Sequence, residues 1–513
     1  MGLAIATCAC ELEGMHSTLN TAPPCRPSPR RSSPLGPSTP VQALPPGRLQ
    51  CRSATLQVVP RHRPTRGPGA GLLLVALCAT VAGCPNEELA PLTPCTVLGV
   101  KKEVKLARTD KVDVLFVVDN SGSMAEEQAS LARELPRLVQ VITSGDVDQD
   151  GTREFEPVQS LHLGVISTNM GSSGASGVPG GCLDVGDDGL LQSSGLSQQP
   201  QCAGQTVPRF LSFSAGDDPA DVGQRFGCLS ELGTAGCGFE QPLEAALKAL
   251  TPAAWPSSTS GTCTPGSGLC PGSCGDPATL CTFGGRSPAG HGDGANGGFL
   301  QEDSLVLVVL VTDEDDCSIP DVSADLFSLN GGAFHGEPPN LRCYDQPQAL
   351  HPLSRYLRGL RSLRPQNPDL VVFAAITGVP EALAQSGATA AEMLADPALG
   401  YDVDCRPFSQ QRSCFRDPTC RAGCLQAAGG RPGGLLPWPS CTATGADGED
   451  RGRAYPPRRI LELAESFGDA GVVQSICQED FGPALDVVID KLLPRLGGGC
   501  LPTRFNPNQD DLV

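Results

Sequence analysis

The sequence predicts an α/β protein: a doubly wound, mostly parallel sheet with helices on both faces and long disulfide-rich insertions. Two observations carry that expectation. Lys111–Val118 (KVDVLFVV), Ser304–Thr312 (SLVLVVLVT) and Asp369–Thr377 (DLVVFAAIT) are almost unbroken apolar runs of strand length, as strands covered on both faces of a parallel sheet must be. Between such runs apolar residues recur at helical spacing, and alternation of the two patterns builds a parallel-rich sheet with helices on each side.

Taken in chain order, the first strand is followed by Ala125–Ile142, where Leu131, Leu135, Leu138, Val139 and Ile142 keep a helical period. Ser160–Ser167 (SLHLGVIS) reads as a second strand, in which His162 alternates with apolar neighbours and is expected to be structural. Helical spacing returns in Glu244–Leu250, Gln348–Leu360, Arg458–Phe467 and Phe481–Leu493, and Gly471–Cys477 (GVVQSIC) reads as a late strand. These elements define one domain over 111–496, with a tail at 497–513. Its insertions, at about 170–230, 252–300 and 380–456, hold most of the Cys, Gly and Pro. Loops of that length are rare without function or cross-links.

Composition narrows the partners and the compartment. The chain of 513 residues has 61 Gly, 48 Pro and only 4% aromatics, and its formal charge is −19. The first 83 residues hold eight Arg, no Lys and two Glu; the remainder therefore carries 29 basic and 54 acidic side chains, a net −25. So acidic a chain has no basic face for nucleic acid, and an anionic membrane would repel it unless a covalent anchor holds it there. There are 24 cysteines, 18 of them from Cys95 to Cys500, a density that points to disulfides in an exported protein. Zinc is the competing reading, with Cys270/Cys274 and Cys420/Cys424 as ligand pairs.

Residues 1–60 have no hydrophobic period and are expected to be disordered, and a translation start near Val58 would remove most of them. Arg61, Arg63 and Arg66 precede the apolar run Gly71–Gly83, which is too short to span a bilayer and has the layout of a secretory signal over 61–84. It ends Val81-Ala82-Gly83-Cys84, which resembles the bacterial lipobox. That resemblance implies lipidation at Cys84, an exported cell-envelope protein and, with Pro85 next, the outer membrane. A simple signal cut near Ala82 is the alternative. Residues 85–110 read as a linker.

The chemistry concentrates after the first strand. Asp119-Asn120-Ser121-Gly122-Ser123-Met124 sits between a buried strand and a helix, where open α/β sheets place their ligands. One carboxylate and two hydroxyls suit a hard cation, although a plain N-cap is the bland alternative. The segment resembles the first loop of the metal-ion-dependent adhesion site of von Willebrand factor A domains. The resemblance implies a Rossmann-like fold and direct coordination of Mg²⁺ (or Mn²⁺) by Ser121, Ser123 and an oxygen from a second loop. Asp119 and Asp313, which follows the strand Ser304–Thr312, would act largely through water. For the second loop it implies a Thr; Thr234 is the one available, with Cys237 and Glu240 nearer the following helix. In this sequence Glu314 stands where the family has Gly, and Asp315 and Asp316 are expected to be solvated. Glu126 and Glu127 fall where related domains place acids of an adjacent metal site, but acids in a first helical turn also offset the helix dipole.

A separate signal, Asp146, Asp148 and Asp150 followed by Gly151, is the opening of a Ca²⁺ loop, with Glu154 at its ninth position and Pro157 where an EF-hand needs Glu. An uncommitted acidic turn is the alternative. No HExxH, GxSxG or Walker A motif occurs, and an enzyme is not expected. The resemblance implies adhesion or ligand binding, with a protein or surface ligand supplying a carboxylate to the metal. An envelope scaffold with a structural metal is the second reading, and a hydrolase the third.

Overall fold

The structure is a computed structural model that describes residues 109–253 (without 173, 184 and 198), 290–406, 414, 417–427, 435–444 and 450–496. Cys84 and the signal region, the linker, the tail, and Cys270 and Cys274 lie outside the described residues. The strands are β1 (Lys111–Val118), β2 (Ser160–Ser167), β3 (Leu211–Ser214), β4 (Leu305–Val311) and β5 (Val371–Thr377). Two short pairs follow, β6 (Val403–Asp404) with β7 (Leu436–Pro437) and β8 (Cys441–Thr444) with β9 (Asp450–Ala454), and then β10 (Gly471–Ser475).

The main sheet has six strands in the order β10-β5-β4-β1-β2-β3, parallel throughout except for the antiparallel edge pair β2–β3. Alternate residues of each strand feed two separate cores. Val112, Val114, Phe116 and Val118 face the helices α1 (Ala125–Ser144), α2 (Pro219–Ser230) and α6 (Gly482–Leu496). Leu115 and Val117 face α3 (Pro242–Leu250), α4 (Leu353–Arg361) and α5 (Arg458–Phe467). Coverage on both sides explains why these strands read as continuous apolar runs rather than alternating ones.

One difference from the sequence reading lies at the sheet edge. The 170–230 segment was expected as an insertion, yet it supplies β3 and α2. β3 is four residues long and only every second side chain is buried, a pattern too brief to register as a strand. Six disulfides cross-link the described loops: Cys182–Cys237, Cys202–Cys228, Cys317–Cys343, Cys405–Cys424, Cys414–Cys420 and Cys441–Cys477. Four of the sulfurs, Cys405, Cys414, Cys420 and Cys424, lie within 4.8 Å of one another. They are joined as two disulfides, so Cys420 and Cys424 are each bonded elsewhere rather than paired as zinc ligands.

Candidate metal centre

The chain moves outward from β1 to β2 and β3 on one side, then crosses to β4, β5 and β10 on the other. The strand order therefore reverses between β1 and β4, and the crevice beyond their carboxyl ends is where such sheets bind ligands. Register aligns those ends: Val118 pairs with Val311 and with Ser167, so Asp119, Thr312 and Thr168 emerge at one level. The Asp119 N–H donates to Val311 O at 2.9 Å, extending the ladder by one residue and fixing the backbone from which the side chain projects.

The Asp119 carboxylate is fully buried. Its Oδ1 accepts from the Ser121 N–H at 2.8 Å and its Oδ2 from the Thr312 hydroxyl at 2.6 Å. The Ser121 and Ser123 hydroxyls are 3.4 Å apart, and Ser123 also reaches the Asp313 carboxyl. Asp313 is 3% exposed and its Oδ1 has no hydrogen-bond partner among the described residues. The structure thus brings Asp119, Ser121, Ser123 and Asp313 together.

The second loop is held against this group from beneath. Gln128 of α1 donates to Asp119 O at 2.7 Å and to Gly233 O at 2.9 Å, and its Oε1 accepts from Gly233 N–H at 3.0 Å. Gly236 N–H donates to Asn120 O at 2.8 Å. A Cβ at Gly236 would stand 2.1 Å from Asn120 Oδ1 and 2.7 Å from the Asn120 carbonyl oxygen, so close an approach that only glycine fits. Two disulfides clamp the loops on either side, through Cys237 and Cys317. Within this loop Thr234 is exposed, whereas Glu240 is 1% exposed and faces Asp119 and Glu314.

Glu240 Oε1 has no partner among the described residues either, and the Glu240 and Glu314 carboxyls face one another at hydrogen-bonding range. Among the described residues no Lys or Arg ion-pairs with Asp119, Glu240, Asp313 or Glu314; their strong electrostatic neighbours are each other. Burial pushes the Asp119 carboxyl up, and burial with adjacent acids pushes Asp313 and Glu240 well above the ordinary carboxylate range. Burial raises Glu314 to about 7. Glu127, which the sequence offered either as an acid of an adjacent metal site or as one offsetting the helix dipole, is 8% exposed beside Gly452 of β9, and burial raises it to about 7.

Such groups are costly to bury without a counterion. Orphaned carboxylate oxygens beside two serine hydroxyls form an all-oxygen donor set, and it fits a hard divalent cation. Sequence reasoning weighed Glu127 as an adjacent-site acid or a helix-dipole acid and treated Glu314 as a departure; for Glu314 the signal available was an acidic residue close behind a buried strand.

Asp315 and Asp316 correct the sequence expectation. Neither is exposed: Asp316 is 0% exposed and caps the start of α3 by accepting from Leu243 N–H at 3.1 Å. Asp316 also pairs with Arg459 at 3.1 Å, and Asp315 accepts from Arg459 N–H at 3.0 Å. The acid run thus divides, its first half facing the crevice and its second half anchoring two helices.

Away from this centre, Asp146, Asp148, Asp150 and Glu154 bring carboxylate oxygens within 4.8 Å of one another. Gly151 N–H donates to Asp146 Oδ2 at 2.9 Å and Val147 N–H to Glu154 Oε2 at 2.7 Å, which folds the loop around a common point. His162 bonds Phe299 O at 2.7 Å and serves the sheet, not the site. Compared with family models, with curated proteins and with solved structures, the chain matches none.

Proposed function

We propose that the protein is a von Willebrand A-type ligand-binding lipoprotein of the bacterial cell envelope that engages a protein or surface partner through a divalent cation. The observation that carries this reading is the group Asp119, Ser121, Ser123 and Asp313 at the reversal point of the sheet, with buried carboxylate oxygens that lack any basic partner among the described residues. Ser121, Ser123 and Glu240 hold Mg²⁺ (or Mn²⁺), Glu240 taking the second-loop position in place of the exposed Thr234, and Asp119 and Asp313 support them. When bound, the cation offers an open position to an oxygen of the partner. No catalytic role is assigned. Calorimetry tests the reading: Mg²⁺ should bind the parent protein and not Asp119→Ala, and partner capture from envelope extracts should be lost in chelator. A parent that binds no divalent ion at millimolar concentration removes the basis for the proposal; capture indifferent to chelator favours an envelope scaffold instead.

The loop Asp146–Glu154 favours a second, independent ion, Ca²⁺, because its four carboxylates converge within 4.8 Å. Cys84 would carry the lipid, and Cys84→Ser should release the protein from membranes or leave its precursor uncleaved.

A further inference from the structure

We propose that the centre is built for a pair of divalent cations, the second held between Glu240 and Glu314 beside the Asp119 loop. The inference rests on the metal-binding reading above and deepens it. Four acids converge here with no basic side chain paired to any of them among the described residues: Asp119, Glu240, Asp313 and Glu314. One divalent ion held by Ser121, Ser123 and Glu240, with Asp119 and Asp313 in support, offsets only half of that charge when all four acids are ionised. Glu314 is left outside that shell, facing Glu240, which is 1% exposed with Oε1 lacking any donor among the described residues. Buried carboxyls of this kind are tolerated when they hold a proton, are paired or bind metal, and in their ionised form a cation is the counter-charge this centre lacks among the described residues.

The space is there as well. A cavity of about 40 Å³ adjoins these two acids, lined also by Gly238, Tyr344, Pro437 and Tyr455. That volume is enough for a small ion with a bound water. Tyr344 cannot supply a positive counter-charge, and its hydroxyl is committed to Pro456 O at 3.1 Å. Glu240, facing both Asp119 and Glu314, is placed to bridge the two ions.

The pair has a consequence for the partner. With a single divalent ion the four acids leave the centre net negative, which repels an incoming carboxylate. With two ions the charge balances, and a carboxylate of the partner is accepted.

Mn²⁺ is the probe, read by equilibrium dialysis and electron paramagnetic resonance on the full chain carrying Asp146→Asn and Asp148→Asn, which silences the separate acidic loop. Ions in two-metal sites sit roughly 3.5–4 Å apart and couple magnetically. The expected result is a coupled-pair spectrum in this protein. Adding Glu314→Gln, of the same shape as the acid, should release one ion per chain and leave an isolated-ion spectrum, with unchanged circular dichroism. An isolated-ion spectrum already present before that change, abolished by Asp119→Ala, overturns the pair and leaves the single-ion reading standing. Absence of bound Mn²⁺ sinks both. A coupled spectrum that survives both Glu314→Gln and Glu240→Gln overturns the assignment to these two residues.

Discussion

Strand β1 carries a buried aspartate near each end, and the two are treated in opposite ways. Asp113, near the amino end, is 0% exposed and wrapped in donors: Gln301 N–H at 2.8 Å, the Gln301 amide at 2.9 Å, the Ser304 hydroxyl, and the Arg364 guanidinium at 3.6 Å. Asp119, just past the carboxyl end, is equally buried, but its electrostatic neighbours are acids. The first is a finished structural device that ties β1 to the segment before β4 and to Arg364. The second is one member of a group whose charge nothing in the described chain completes. Burial of an acid is therefore no sign of a site; an incomplete set of partners around it is.

The comparison can be broken most forcefully at the amino end. Asp113→Ala strands Arg364, Ser304 and Gln301 without their acceptor, and removing one side of a buried pair costs about 3–5 kcal/mol. Urea unfolding should show that loss. Asp119→Ala, measured alongside in chelator, should cost less, because it strands the Ser121 N–H and the Thr312 hydroxyl but no Lys or Arg among the described residues. Equal losses for the two variants would end the distinction drawn here.

Adding the ion sharpens the contrast from the other side. At a Mg²⁺ concentration a hundredfold above Kd, a site that binds only the folded state is stabilised by about 2.7 kcal/mol. The melting temperature of the parent should rise accordingly with Mg²⁺, that of Asp119→Ala should not move, and Asp113→Ala, if it folds, should still respond.

In the ion-free protein two buried carboxyls titrate in one window: burial raises Glu314 to about 7, and it raises Glu127 from 4.5 to about 7. The folded state keeps these protons longer than the unfolded chain. Their contribution is complete below about 4.5, declines as pH rises, and is gone above about 7. In chelator, stability should therefore fall between those values, and Glu127→Gln should flatten part of the fall. Glu244 supplies the opposite sign. Burial opposes its ionisation, but Arg355, bonded at 2.8 and 2.9 Å, outweighs burial and holds the carboxyl at about 2. That pair contributes fully above about 4.5 and is lost as pH drops towards about 2. A melting-temperature profile with no descending limb between pH 5 and 7 would remove Glu127 and Glu314 from the account.

The smallest expected effect is at Thr234. Its side chain is exposed, so Thr234→Ala should change stability by no more than ~0.5 kcal/mol and leave Mg²⁺ affinity unaltered, while Glu240→Gln lowers it. Calorimetry on the two variants decides which residue serves the second loop.

What the sequence determined by itself was local and periodic. Almost unbroken apolar runs at 111–118, 304–312 and 369–377 identify strands covered on both faces, because burial on both sides removes the alternation. Helix α5, Arg458–Phe467, was legible from its period alone, and Asp119, Ser121 and Ser123 were legible because they follow one strand directly. Partners distant in the chain were decided by tertiary structure. Nothing in the run Asp313–Asp316 tells which acid faces the crevice and which caps α3; the position of Arg459, more than a hundred residues later, separates them. The same holds for Glu240, whose burial against Glu314 exists only because the Cys182–Cys237 and Cys317–Cys343 bridges and the Gln128 contacts hold two loops together. Periodicity reports the environment of a face, averaged over a strand or helix. The partner of a single charged group is a long-range contact, and no local average contains it.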